Sequence, residues 1–148
     1  MKRLAVAAVV VVVLSAAMAF GAVHDFGKFT LDIPAGWTAT QQGPTAAIQK
    51  DDNTAAMSIT LDAVPEGVDS IDTLAAAFAQ QFSGSFASVS TPEKDDDGDY
   101  AWDMVNAQGV NTHAMLSVND GNYLLITLTG VESAPDEMSA ILDSVQEK

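Results

Sequence analysis

Three tight-turn signals, Asp97-Gly98, Gln108-Gly109 and Asp120-Gly121, cut the second half of this chain at nearly even intervals. An Asp-Gly pair between apolar runs is among the strongest hairpin signals, because its backbone twist matches that of the flanking strands. The region therefore reads as a meander of four antiparallel strands. If each pair is a two-residue loop, the registers follow. Asn119 faces Asn122 and His113 faces Leu128; on the preceding hairpin Met104 faces His113 and Trp102 faces Met115. Side chains alternate along a strand, so Tyr100, Trp102, Met104, His113, Met115, Leu124, Ile126 and Leu128 gather on one face. That face needs cover. The other, from Asp99 to Leu125, is polar toward one edge and apolar at its centre. A central sheet with a helix on one face and partial cover on the other satisfies the two requirements.

The first half alternates strands with turns. Phe29, Leu31 and Ile33 lie at period 2 and Pro34-Ala35-Gly36 ends the run. Trp37 to Gln42, Ala46 to Lys50 and Ala55 to Ala63 follow, separated by Gly43-Pro44 and Asp51-Asp52-Asn53. The period then changes. Ile71, Leu74, Ala75, Phe78 and Phe82 mark one helical stripe, with Asp69 or Ser70 as N-cap and Gly84 as the stop. A second stripe, Met138, Ile141, Leu142 and Val145, predicts a closing helix from about Pro135, with Ser133 placed to cap it and the Tyr100 to Leu128 face as its partner.

Charge narrows the functions. The chain carries 6 Lys+Arg against 20 Asp+Glu and no cysteine. Lys2 and Arg3 precede the unbroken apolar run Leu4 to Leu14, and Ala17 and Ala19 form an A-x-A cleavage pattern; this reads as a secretory signal peptide over 1–19. Residues 20–26 are then a short N-terminal segment, in which His24 is expected to fray, and 27–148 a single domain. Removing the leader leaves Lys28, Lys50, Lys94 and Lys148 against all 20 acids. Such a surface repels phosphate backbones and anionic headgroups, so nucleic acid is excluded as a partner. The expected product is periplasmic or secreted in a bacterium, with no stable membrane insertion after cleavage. Lacking cysteine, it is not a lipoprotein.

The run Phe29-Thr-Leu-Asp-Ile-Pro34-Ala-Gly36-Trp37, the meander ending in Asp120-Gly-Asn-Tyr-Leu-Leu-Ile-Thr-Leu-Thr129, and Ile141-Leu-Asp-Ser-Val145 resemble the PsbP-like and DcrB-like family. The resemblance implies an α+β fold, an antiparallel sheet flanked by helices as an α/β/α sandwich, shared by the photosystem II extrinsic protein and a nuclear Ran-binding factor. It also implies a non-enzymatic accessory module that docks on another envelope protein. No cofactor is implied.

Catalytic inventories are thin. With no Cys, only His24 and His113 could serve as base for a Ser or Thr nucleophile. His113, set between Met104 and Leu128, reads as a core histidine bonded to a neighbour, and no catalytic residue is assigned. Asp99 and Asp103 lie four apart on one strand, about 13 Å at 3.3 Å per residue, wider than glycoside hydrolysis uses. A hydrolase is therefore the third reading. Asp95, Asp97 and Asp99 are the candidate metal ligands, because hard cations take several carboxylates from one loop. An EF-hand alignment fails, putting Tyr100 where glycine belongs and Asn106 where the bidentate glutamate belongs. A solvated hairpin tip competes with this calcium reading, and a small-solute or divalent-cation binding protein is the alternative to the protein-binding module.

Overall fold

The computed structural model describes residues 21–148; the leader and its expected cleavage site lie outside the described residues. In chain order the elements are β1 (Gly21–Asp25), β2 (Phe29–Pro34), β3 (Trp37–Gln42), β4 (Thr45–Lys50), β5 (Ala56–Ala63), α1 (Ile71–Ser83), β6 (Ser88–Val89), β7 (Glu93–Lys94), β8 (Tyr100–Val105), β9 (Asn111–Asn119), β10 (Asn122–Thr129), α2 (Pro135–Asp143) and β11 (Gln146–Glu147).

At Asp120-Gly121 both residues take positive φ, 50° and 77°. That is the backbone of a two-residue primed turn, and Asn119 faces Asn122 while His113 faces Leu128. The Gln108-Gly109 loop is different, for it holds three residues, Ala107 to Gly109. Asn106 N–H donates to the Val110 carbonyl at 3.0 Å, and Asn106 Oδ1 accepts the amides of Gln108 and Val110, each at 2.9 Å. The register consequently slips by one: Met104 faces Thr112, Asp103 faces His113, and Trp102 faces Ala114 instead of Met115. One extra loop residue turns β8 over. Trp102 and Met104 leave the face of Leu124 and Leu128 and join Ala114, Leu116, Tyr123 and Leu125.

The main sheet has eight strands, with β3-β4-β5-β10-β9-β8-β6 along its path and β7 also paired to β8. Its first face is covered by α1, whose Leu74 and Ala75 are buried over Trp102, Met104 and Leu116. Ser70 caps that helix by accepting the Thr73 amide at 3.2 Å. The second face, built by Ile48, Met57, Ile59, Leu61, Leu124 and Leu128, packs on Met138 and Ile141 of α2 and on Phe29, Leu31 and Ile33 of β2. Here β2 is the middle of a small sheet, β1-β2-β11. The result is the expected α+β sandwich, with the small sheet sharing the α2 layer.

Three further expectations are corrected. Gly21–Asp25 is a strand paired along its length with β2, so His24 sits opposite Leu31 in a sheet. Ser133 does not cap α2: it lies in a 3-10 turn, Val131–Ser133, where its own N–H donates to Gly130, and Ala134 occupies the cap position ahead of Pro135. The closing helix also ends early. Val145 is buried beyond it, because the chain there extends to pair Gln146 with Thr30.

Candidate functional site

The acidic hairpin tip folds against the start of α1. The Asp95 N–H donates to the Asp99 carbonyl at 2.8 Å, Asp95 Oδ1 accepts the amides of Asp97 and Asp99 at 2.9 Å each, and Gly98 turns the chain at φ 86°. An Asx turn of this kind fixes the loop without a cation. Behind the tip, Asp72 in the first turn of α1 accepts the Tyr100 hydroxyl at 2.7 Å and Lys94 Nζ at 3.3 Å. Lys94 also stands 5.8 Å from the Tyr100 ring centroid. Those two bonds, the tyrosine's first, hold the Asp72 carboxyl below the ordinary aspartate range. Asp72 in turn pushes the Tyr100 hydroxyl up.

Between the tip, the segment leading into α1 and the β9–β10 turn lies an open cleft of about 390 Å³. Val64, Val68, Ile71, Leu74 and Val118 give it apolar walls. The segment is held in place by the Val64 amide, which donates to the Gly121 carbonyl at 2.9 Å. Asp69, Asp97 and Asp99 supply its charge, and among the described residues no cationic side chain lines it. Partial burial, then the charges of Asp95 and Asp97, push the Asp99 carboxyl up. Such a cleft suits an apolar side chain flanked by positive charge, because the walls gain from burial and the rim from opposite charge.

Of the three candidate metal ligands, Asp97 and Asp99 line this cleft, while Asp95 spends one oxygen on two backbone amides. Among the described residues, no group of three or more His, Cys, Asp or Glu side chains is arranged to hold a metal ion. The histidines are elsewhere. His113 is not the core residue expected between Met104 and Leu128: the turned-over β8 presents Asp103 instead, and His113 Nδ1 pairs with Asp103 Oδ1 at 2.9 Å, both side chains well exposed. Among the described residues no hydroxyl is hydrogen-bonded to either histidine. Asp103 thus serves His113, away from Asp99 in the cleft. Sequence reasoning found the acidic tip and placed Ile71 and Leu74 on a helical stripe, but missed that these join Val64, Val68 and Val118 as the apolar walls of a cleft beside the tip. Val64 and Val68, which carry the i, i+4, i+7 spacing of the α1 stripe back past Pro65 and Gly67, were the signal available.

A second cleft, about 410 Å³, lies among Lys28, Asn119, Asp120, Asn122 and Lys148. Both lysines there are already engaged, Lys28 with Asp62 at 3.0 Å and Lys148 with Asp25. Among the described residues no helix is long and apolar enough to cross a membrane.

No protein-family model matches the chain, and no curated protein matches it. Among solved structures it is similar to cyanobacterial PsbP (CyanoP) from Synechocystis, with a TM-score of 0.53 and 10% identity over 88% of this chain and 94% of that one. A Bacteroides thetaiotaomicron protein matches at a TM-score of 0.46 and 12% identity over 87% of this chain and 48% of its own. The first likeness extends over most of both chains, so this chain has the PsbP-like fold.

Proposed function

We propose that the protein is an exported, acidic, non-enzymatic accessory module of the bacterial envelope that works by binding another protein through the acid-rimmed cleft. The observation that carries this is the pairing of apolar walls, Val64, Val68, Ile71 and Val118, with a rim of Asp69, Asp97 and Asp99. The partner is a segment presenting an apolar side chain between lysines or arginines. The PsbP-like fold is compatible with a docking role. Fold alone assigns no activity, so the weight rests on the cleft.

Charge reversal is the test. Asp69, Asp97 and Asp99 are exposed or only partly buried, so changing Asp69 and Asp97 to Lys leaves the fold intact. Chemical cross-linking in the native envelope should trap a partner with the parent protein, less of it as salt rises, and none with the double variant. A partner held equally by the reversed rim would move the binding surface elsewhere. A melting temperature that instead rises on addition of small solutes, with no protein partner, would favour the solute-binding alternative.

A further inference from the structure

The two ends of the main sheet are finished differently. At one end β6 and β7 are two residues each, and β7 is the charged pair Glu93-Lys94. At the other, β3 runs for six residues, Trp-Thr-Ala-Thr-Gln-Gln, in unbroken register with β4 and, among the described residues, with no strand on its outer side. It has no charge, no proline and no bulge, the devices that normally blunt an edge.

Its outward groups can be assigned. Gln42 and Thr45 close the two-residue Gly43-Pro44 loop, so antiparallel alternation directs the N–H and C=O of Gln42 and Thr40 toward β4 and those of Ala39 and Gln41 outward. Thr38, Thr40 and Gln42 share one sheet face with Thr45, Ala47 and Gln49 of β4 and with Ser58 and Thr60 of β5. Two hydroxyl pairs knit that face, Thr45 with Thr60 at 2.7 Å and Ser58 with Thr127. None of these side chains is charged, in a chain of net charge −14.

We propose that β3 pairs with β3 of a second copy of this chain, antiparallel about a two-fold axis at Thr40, making one continuous sheet across a homodimer. In that register Ala39 of each copy faces Gln41 of the other, and these two pairs exchange about four backbone hydrogen bonds. Thr40 faces Thr40 across the axis, a favourable cross-strand pair. The occupant is a second copy because two copies of so acidic a chain repel over surfaces that bear acids, and the side chains that β3 brings to the seam on this face, Thr38, Thr40 and Gln42, bear none. Asp51, which accepts the Thr38 hydroxyl at 2.8 Å, lies at the Trp37 end. Antiparallel pairing sets it against the other copy's Gln42–Gly43 turn, not against its own equivalent.

Sedimentation equilibrium of the purified protein from micromolar to millimolar concentration should show a monomer passing to a dimer. Thr40 is exposed, so Thr40→Glu and Thr40→Lys should each melt like the parent yet stay monomeric, since each puts like charges across the axis. Mixing the two variants in equal amounts should restore the dimer, because opposite charges then meet. The proposal is overturned by a parent protein that is monomeric throughout, by dimers that both variants keep, or by a mixture that associates no better than its components.

Discussion

Gly130 carries the chain from β10 into the turn before α2, at φ 70° and ψ 36°. A methyl group placed there would stand 2.1 Å from the Thr54 carbonyl oxygen and 3.2 Å from the Ala55 Cα. Neither neighbour yields easily. Thr54 is tied by its amide and hydroxyl to Asp52 Oδ1, at 3.0 and 2.6 Å, and the Ala55 carbonyl accepts the Lys50 amide at 2.9 Å. Gly36 offers the control, with φ 86° and nothing within 4 Å of an added carbon. Gly36→Ala should therefore cost only the left-handed backbone term, about 1–2 kcal/mol. Gly130→Ala adds the displacement of packed backbone, about 1–3 kcal/mol more, for a total of about 2–5 kcal/mol. Urea unfolding of the two variants beside the parent, with equal slopes, measures both. If Gly130→Ala costs no more than Gly36→Ala, the close approach of residues 54 and 55 to the α2 turn is wrong.

Three other outcomes follow from the site. His113→Gln should lose no more than about 1 kcal/mol in thermal or urea unfolding, because the pair with Asp103 is exposed; a loss well above that would return His113 to the core. Asp72→Asn and Asp99→Asn should shift stability in opposite directions at neutral pH. The carboxyl of Asp72 is held low, so its contribution is complete above the ordinary aspartate range and disappears as pH falls through the lowered value; that of Asp99 is raised, so its ionised form costs stability at neutral pH and the cost is gone in strong acid. Melting curves against pH should show Asp72→Asn below the parent and Asp99→Asn above it at pH 7, both converging on the parent in strong acid. Finally, calcium should raise the melting temperature no more than sodium at equal ionic strength, with or without Asp95→Asn and Asp97→Asn. A calcium-specific rise that the double variant abolishes would establish a metal site at the tip.

Much of the architecture was legible because local chemistry and the fold agree. Asp120-Gly121 set the β9–β10 register, the Ile71 to Phe82 stripe with Ser70 set α1, and Trp37 to Gln42 holds as a strand to the residue. The β8 register failed on one loop residue. Both three-residue loops carry an Asx residue three before the glycine, Asp95…Gly98 and Asn106…Gly109, and in each the side-chain oxygen takes two backbone amides. That pattern, more than the glycine, marks the longer loop. A misread of one residue there was enough to place Trp102 with the wrong helix and His113 in the core. The short strands β1, β6 and β11 lack a period long enough to detect and form because a neighbouring strand offers an edge. The cleft was half legible: five acids in the seven residues from 93 to 99 stand out in sequence. Its walls are brought to that tip by tertiary contacts, among them the Val64–Gly121 bond and the bonds of Asp72 to Tyr100 and Lys94.

What enters the cleft decides whether it is a docking site. Titrating the isotope-labelled protein with a peptide carrying leucine between lysines, and following backbone amide shifts, should move Val64, Val68, Ile71, Gly98 and Val118 together. Added salt should weaken the binding, and a glutamate-flanked peptide should leave those signals still. Shifts confined to other surfaces, or equal responses to both peptides, would contradict it.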